Sequence, residues 1–219
     1  MAATNLLDWH RPFADGVRWR LTDLGVEVEG AGVERTKGEP ATVTRVWRLF
    51  GAAINQTTRR RRFPAELVVA TICTESGGRA DAVRLEPGYV SDEQTPHKVS
   101  PGLMQTLIST AREALRTTVD RAWLLDGAHS IEAGCAYLAR QSAKTSYDPP
   151  LVAAAYNSGG IHHQTGSQNR WKLRQFPIGT GEHCDRFTRF YNDAVVVLGG
   201  SPLRPAMSHQ DLLREQVRP

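Results

Sequence analysis

The chain has 219 residues, 40% of them hydrophobic and 23% charged, with a net charge of +4; these are globular proportions and a length suited to one domain with appendages. Its greasiest stretch, Ala194-Val195-Val196-Val197-Leu198, falls far short of the roughly 18 apolar residues that span a bilayer, so membrane insertion, a collagen-like chain and a disordered chain are excluded. The basic surplus favours an anionic partner without naming one. The three cysteines, Cys73, Cys135 and Cys184, are odd in number and too widely spaced for a zinc pattern, which leaves buried free thiols.

Two short alternating runs, Val17 to Leu21 and Val26 to Glu29, flank a Gly-containing turn and predict a small β-hairpin. A loop follows to Pro40. From residue 41 the period is helical: Val43, Val46, Trp47, Phe50 and Ile54 form one stripe. A second helix starts near Pro64, which suits a first turn, and stops at Gly77-Gly78. Between the two helices, Arg59-Arg60-Arg61-Arg62 reads as a solvated loop, with binding of an anionic envelope polymer as the alternative. Residues 79–101 carry four prolines and glycines among charges and predict a long loop. Leu103 to about Thr118 reads as a helix, as does Ser130 (an N-cap candidate) to about Lys144. Asp148-Pro149 opens a short helix over 151–156, and the region 159–181 is loop. The last strong helix carries Phe187, Phe190, Tyr191, Ala194, Val195 and Leu198 and ends at Gly199-Gly200. The fold class is therefore mostly α with a small β element (α+β). Its parts are a β-rich extension over 1–40 packed on a helical domain over 41–200, and a tail over 201–219.

Three segments carry candidate chemistry: Thr74-Glu75-Ser76-Gly77-Gly78, Gly102-Leu103-Met104-Gln105 and Ala154-Ala155-Tyr156-Asn157-Ser158-Gly159-Gly160. Glu75 ends an apolar helix, where the dipole's negative end and neighbours such as Ile72 both disfavour a carboxylate and raise its pKa. A carboxyl still protonated near neutral pH is what a general acid requires. A helix-end glutamate that merely faces solvent is the plainer alternative.

Together, and in this order, the three segments resemble the E-S, G-L-M-Q and A-Y-N-x-G motifs of the lysozyme-like lytic transglycosylase domain of bacteria and phages. Ser130-Ile131-Glu132-Ala133-Gly134-Cys135-Ala136-Tyr137-Leu138 is similar to the same family's N-I-x-x-G-x-x-Y-L helix. The resemblance covers roughly residues 64–198 and implies a lysozyme-like helical fold acting on the glycan strands of peptidoglycan. It implies that Glu75 is the sole acid/base, first protonating the oxygen between N-acetylmuramic acid and N-acetylglucosamine. The muramic C6 hydroxyl then attacks the anomeric carbon, Glu75 takes its proton, and a 1,6-anhydro end forms without water.

By the same resemblance, Met104 lines the sugar cleft and Gln105 holds an N-acetyl or hydroxyl group. Tyr156 orients Glu75 or the N-acetyl group, and Asn157 bonds substrate beside the scissile bond. Bland roles remain open: Met104 as core filler, Tyr156 and Asn157 as the close of a helix. Ser76 and Ser100 are further candidate substrate contacts, although Ser76 reads as tightening its turn rather than touching sugar; Ser100 matches a serine that many relatives carry before G-L-M-Q.

Two departures from the family stand out. The loop between Ser76 and Gly102 is longer than the family's. Where many relatives show E-T-x-x-Y, this chain has His183-Cys184-Asp185-Arg186-Phe187, so His183 replaces the glutamate and Phe187 the tyrosine. His183 either faces the cleft as a substrate contact or serves structure. His162, His163 and His183 fit no metal-ligand spacing, so no metal and no cofactor are expected. No basic stripe interleaved with aromatics suggests nucleic acid. The N-terminus lacks a basic segment before an apolar one, so no signal peptide is expected. The reading is a monomer made in the cytoplasm and acting on the wall, as a phage endolysin or virion-borne enzyme would. The rival readings are a lysozyme- or chitinase-type hydrolase, with a second carboxylate among Asp81, Glu86, Asp92 and Glu93 (an inverting or retaining pair), and a non-catalytic wall-binding module.

Overall fold

In the computed structural model, which describes residues 5–37 and 40–217, the alternating runs form the antiparallel pair β1 (Trp19–Thr22) and β2 (Gly25–Val28), with Trp19 opposite Val28 and Leu21 opposite Val26. The period of two sends Trp19, Leu21, Val26 and Val28 into the core and leaves Arg20 to pair with Glu27 across the outer face at 2.7 Å. The hairpin is bolted on by buried polar groups. Asn192 accepts the Val26 N–H at 2.7 Å and donates to the Val26 carbonyl at 3.1 Å. Gly25, at φ +117, lies so close to Asn192 that a Cβ would come within 2.3 Å of its Oδ1. Asp148, fully buried, accepts from Trp19 Nε1 and from His10 Nε2, each at 2.9 Å. Burial opposes charge on His10, but the hydrogen bond and charge of Asp148 prevail and raise its pKa.

Helix α1 (Ala41–Arg61) buries the predicted stripe of Val43, Val46, Trp47 and Ile54. The arginine run is its last turn and C-cap rather than a loop. Arginine is a good helix former, and its charge suits a helix C-terminus. Arg60 and Arg61 both pair with Glu132, the latter at 2.5 Å. Helix α2 (Ala65–Glu75) begins one residue after Pro64 and is buried from Ala65 through Thr74, so it is apolar on every side.

The segment 79–101 departs from the expected loop. It folds back as β3 (Val83–Leu85) on β4 (Val99–Pro101), with a single 3-10 turn at Pro96–Lys98 between them. Three-residue strands are too short to show an alternation. The next helix, α3 (Ile108–Leu115), starts five residues later than its sequence pattern indicates. The chain turns first, through Gly102 at φ +84 and Gln105 at φ +48. A short helix, α4 (Arg121–Leu125), and α5 (Gly127–Thr145) follow, each N-capped by an aspartate, Asp120 and Asp126. Ser130 is therefore not a cap. It sits inside α5 and accepts the Met104 N–H at 3.1 Å. Helix α6 (Pro149–Ser158) and the long α7 (Glu182–Gly199) complete the domain, and α7 packs along α2, α6 and α1. The hairpin's inward side chains and those of these helices form one core, while Val99, Ile108, Ala111, Val119, Leu124 and Ala133 form a smaller cluster beside it. The arrangement is the mostly α, lysozyme-like fold with a small N-terminal hairpin. Among the described residues no helix is long and apolar enough to cross a membrane.

The segment after Gly200 forms α8 (His209–Gln216), started by a capping box of Ser208 and Asp211. His209 donates through Nε2 to the Thr22 carbonyl at 2.6 Å and accepts from the Tyr191 hydroxyl at 2.6 Å. Its backbone N–H donates to Glu66 Oε2 at 2.9 Å. Glu66 is 3% exposed, and loss of hydration pushes its pKa up to about 7. An acid raised in the folded state keeps its full stabilising effect below the unfolded pKa and loses it as pH climbs to the folded one. Stability should therefore fall between about pH 4.5 and 7 and then level off. A Glu66→Gln variant should match the native chain near pH 4 and exceed it by about 3 kcal/mol at pH 8. Urea unfolding at the two pH values tests this; an equal difference at both would remove Glu66 as the source.

Candidate active site

Because α2 is surrounded along its whole length, the first side chain it can present to solvent is its last, Glu75. That carboxyl keeps 17% of its surface exposed and lies in a cleft of about 490 Å³, the size of a site for a small ligand. Burial pushes its pKa up to about 7, against the opposing pull of Arg186 and Arg84. At neutral pH a large fraction of Glu75 carries a proton.

Directly after it, the chain is tied to the 102–106 turn. The Ser76 hydroxyl, buried, donates to the Leu103 carbonyl at 2.7 Å and accepts the Gly78 N–H at 3.1 Å. Tyr156 reaches from α6 to the same turn, donating to the Met104 carbonyl at 2.8 Å and bonding Thr106 Oγ1 at 2.9 Å. Burial, and then the charge of Glu75, raise the Tyr156 pKa further, so the phenol stays neutral. Gln105 donates to the carbonyls of Ala82 and Gly102 at 3.1 and 2.8 Å and accepts from Ser100 at 3.3 Å. Its amide pins the β3–β4 hairpin to the cleft floor. Asn157, in the last turn of α6, accepts the Phe176 N–H at 2.5 Å and faces His183 Nδ1 at 3.4 Å.

The structure thus gathers Glu75, Ser100, Gln105, Tyr156 and Asn157 on one cleft. Three other candidates lie behind its wall. Met104 is fully buried, its sulfur against Gly134 of α5, and touches no solvent. Ser76 is spent on backbone. His183 is 4% exposed, with Nε2 3.6 Å from Glu75 Oε1. Burial drives its pKa down to about 3, so it is neutral and forms no ion pair with Glu75.

Sequence reasoning did not single out Arg84, which pairs with the loop carboxylate Glu86 at 2.9 Å, nor Thr110, Tyr137 and Phe176, all of which line the cleft. Arg84 in β3 and Glu86, one residue past its end, reach it together because alternate residues of an extended chain share one face. Of the loop carboxylates considered as second catalytic groups, Asp81 and Glu93 are exposed and Asp92 is held by Arg121 at 2.6 Å. Glu86 alone of the four lines the cleft. Among the described residues no three His, Cys, Asp or Glu side chains cluster as a metal site.

A family model described as a transglycosylase SLT domain matches residues 52–175, more than half of the chain. Among solved structures, an inactive variant of the lytic transglycosylase Slt from Pseudomonas aeruginosa is similar at 19% identity and a TM-score of 0.51, over 73% of this chain and 26% of that one. The 70 kDa soluble lytic transglycosylase of Escherichia coli is similar at 18% identity and a TM-score of 0.49, over 74% and 26%. The chain spans about a quarter of the length of these proteins. No curated protein matches it.

The close seat of Met104 generates a test of how the cleft floor is held. A methyl group on Gly134 would come within 2.4 Å of the Met104 sulfur and 2.8 Å of its Cβ. Gly134→Ala should destabilise the protein by about 1–3 kcal/mol through overpacking, and adding Met104→Ala should relieve part of the strain. Thermal unfolding of the single and double variants measures it; a double variant showing the plain sum of both losses would mean the two sites do not press on each other.

Proposed function

The chain belongs to the transglycosylase SLT domain family, and from that membership and the cleft's geometry we propose that it is a peptidoglycan lytic transglycosylase with Glu75 as its sole acid/base. The observation that carries the reading is one carboxyl at the end of a buried helix, lining the cleft, whose burial pushes its pKa up to about 7. In the first step the Glu75 proton passes to the glycosidic oxygen between N-acetylmuramic acid and N-acetylglucosamine, and the bond from that oxygen to the anomeric carbon breaks. In the second the muramic C6 oxygen bonds the anomeric carbon while its proton returns to Glu75. The enzyme is regenerated and the glycan ends in a 1,6-anhydro ring, with no water consumed. A carboxyl poised near pH 7 suits both the giving and the taking.

In this reading Gln105 and Ser100 present the polar edge that meets the sugar's N-acetyl or hydroxyl groups, and Asn157 meets substrate beside Glu75. Tyr156 positions the 102–106 turn against Glu75. Met104 and Ser76 act from behind the wall, as packing and as a tie. The catalytic unit is residues 41–200; of the extension over 1–40 the described residues 5–37 brace α7, and of the tail over 201–219 the described residues 201–217 close over the start of α2. The reading is of a monomer acting at the cell wall.

One observation favours a second reading. Glu86 lines the same cleft, and a carboxylate across from the acid is what a hydrolase needs. Its bond to Arg84 at 2.9 Å already engages it, which is why the single-carboxyl chemistry is preferred.

Digestion of purified peptidoglycan should release muropeptides with 1,6-anhydro ends, one water lighter by mass spectrometry than reducing-end counterparts. Reducing ends lost on Glu86→Gln would replace this reading with hydrolysis. Glu75→Gln should cut turnover by at least 10²–10³-fold with the fold intact, and the native rate should decline as pH rises through about 7, where Glu75 loses its proton.

A further inference from the structure

Behind the cleft wall, one of the buried polar atoms without a hydrogen-bond partner among the described residues is Nε2 of His183, which lies 3.6 Å from Oε1 of the group on which the proposed chemistry turns. Its state follows from the atoms behind it. The Phe176 backbone N–H only donates, and it meets Asn157 Oδ1 at 2.5 Å, so the amide's oxygen end is fixed toward Phe176 and its NH₂ end toward His183. That NH₂ meets Nδ1 at 3.4 Å. An amide NH₂ only donates, so Nδ1 is the bare, accepting nitrogen. The ring's hydrogen then resides on Nε2, 3.6 Å from Glu75 Oε1. This distance is just beyond a hydrogen bond, and no other polar group within bonding distance competes for that N–H.

We propose that His183 is a positioning residue that donates its Nε2–H to Glu75 once Glu75 has given up its proton, with the tautomer set by Asn157. The inference rests on the reading of Glu75 as the acid/base. While Glu75 is protonated the contact stays loose. When the proton has passed to the glycosidic oxygen, a carboxylate is left beside an apolar helix, and closing by about half an ångström gives it a charge-assisted bond. The bond holds Oε1 in place until the C6 hydroxyl returns a proton. A glutamate at position 183, as the family resemblance leads one to expect, carries no N–H to give when ionised. The other groups around Glu75 do not duplicate the donor. Tyr156 of α6 is committed to the Met104 carbonyl, Arg84 of β3 is paired with Glu86, and Arg186 lies one turn along α7 with its side chain exposed. The two arginines act on Glu75 through charge alone.

The test has a spectroscopic arm and a kinetic arm. In the native protein labelled with ¹⁵N-histidine, long-range proton–nitrogen correlations should show His183 as the Nε2–H tautomer, unprotonated at Nδ1 and not titrating down to about pH 5. In peptidoglycan release assays over about pH 5 to 9, His183→Phe should lower kcat roughly 10-fold or more with little change in KM. It should also move the alkaline limb upward by about one pH unit, because losing a donor to the charged form raises the acid's pKa. His183→Gln, which keeps an N–H donor, should recover much of the rate and bring the limb back. An Nδ1–H tautomer, an imidazolium near neutral pH, or an unmoved limb in His183→Phe would each overturn the proposal. If His183→Phe does not fold, the native spectrum and the His183→Gln limb decide. Activity surviving in Glu75→Gln would instead remove the premise, whereas an inactive Glu75→Gln beside an unmoved limb would remove only the part given to His183.

Discussion

An eleven-residue helix buried on every side ends in a carboxyl, and the cost of burying that helix's surroundings decides what the carboxyl can do. Helix α2 contributes Leu67, Val68, Val69, Ala70 and Ile72 to the centre of the core, each worth roughly 1.5–3 kcal/mol for the larger side chains when taken from water. Its axis is therefore fixed by packing against α1 and α7, far more firmly than a surface helix would be. The same apolar surroundings strip water from Glu75 and raise its pKa. Stability and proton affinity thus share one cause.

Around that fixed point the cleft is assembled by polar side chains bonded to backbone. Ser76, Tyr156 and Gln105 each satisfy a carbonyl in a neighbouring segment. Buried backbone groups left unbonded cost about 1–3 kcal/mol each, so these bonds both satisfy the turn at 102–106 and fix where it lies. The left-handed residues there, Gly102 and Gln105, are compatible with such a turn only because it is tied at several points. The glutamine is the less common occupant of that region, and its side chain bonds the carbonyl three residues before it.

How much of this was legible in the sequence depended on the length over which a pattern repeats. The stripe from Val43 to Ile54 and that from Phe187 to Leu198 span three or more turns and mark α1 and α7 clearly. The hairpin of Trp19–Thr22 and Gly25–Val28 was visible because both runs alternate around a glycine. The β3–β4 pair was not, since three residues define no period, and its Arg84 entered the cleft unannounced. Helix α4 is only five residues long. In the site, motif order located Glu75, Gln105, Tyr156 and Asn157, but not on which side of the wall a side chain would fall. Met104 reads equally well as a sugar contact and as core until Gly134, a helix away, is seen to make room for it.

A single carboxyl that must both give and receive a proton faces opposed demands, and the residue at position 183 bears on the balance. Desolvation favours the protonated form. Arg186 and Arg84 favour the ionised one from exposed positions where salt screens them. A second carboxylate at 183, in place of the imidazole whose Nε2 lies 3.6 Å from Glu75 Oε1, would add like charge and disfavour ionisation of Glu75. That repulsion would favour the protonated form of Glu75. A neutral imidazole adds no charge at all. It fills the same volume and, because Asn157 occupies its other nitrogen, it offers the carboxyl a donor instead of a rival. The loss of the glutamate that the family pattern would place here is therefore consistent with retained chemistry, since the substitution lowers the barrier to ionising Glu75 while leaving its apolar surroundings intact.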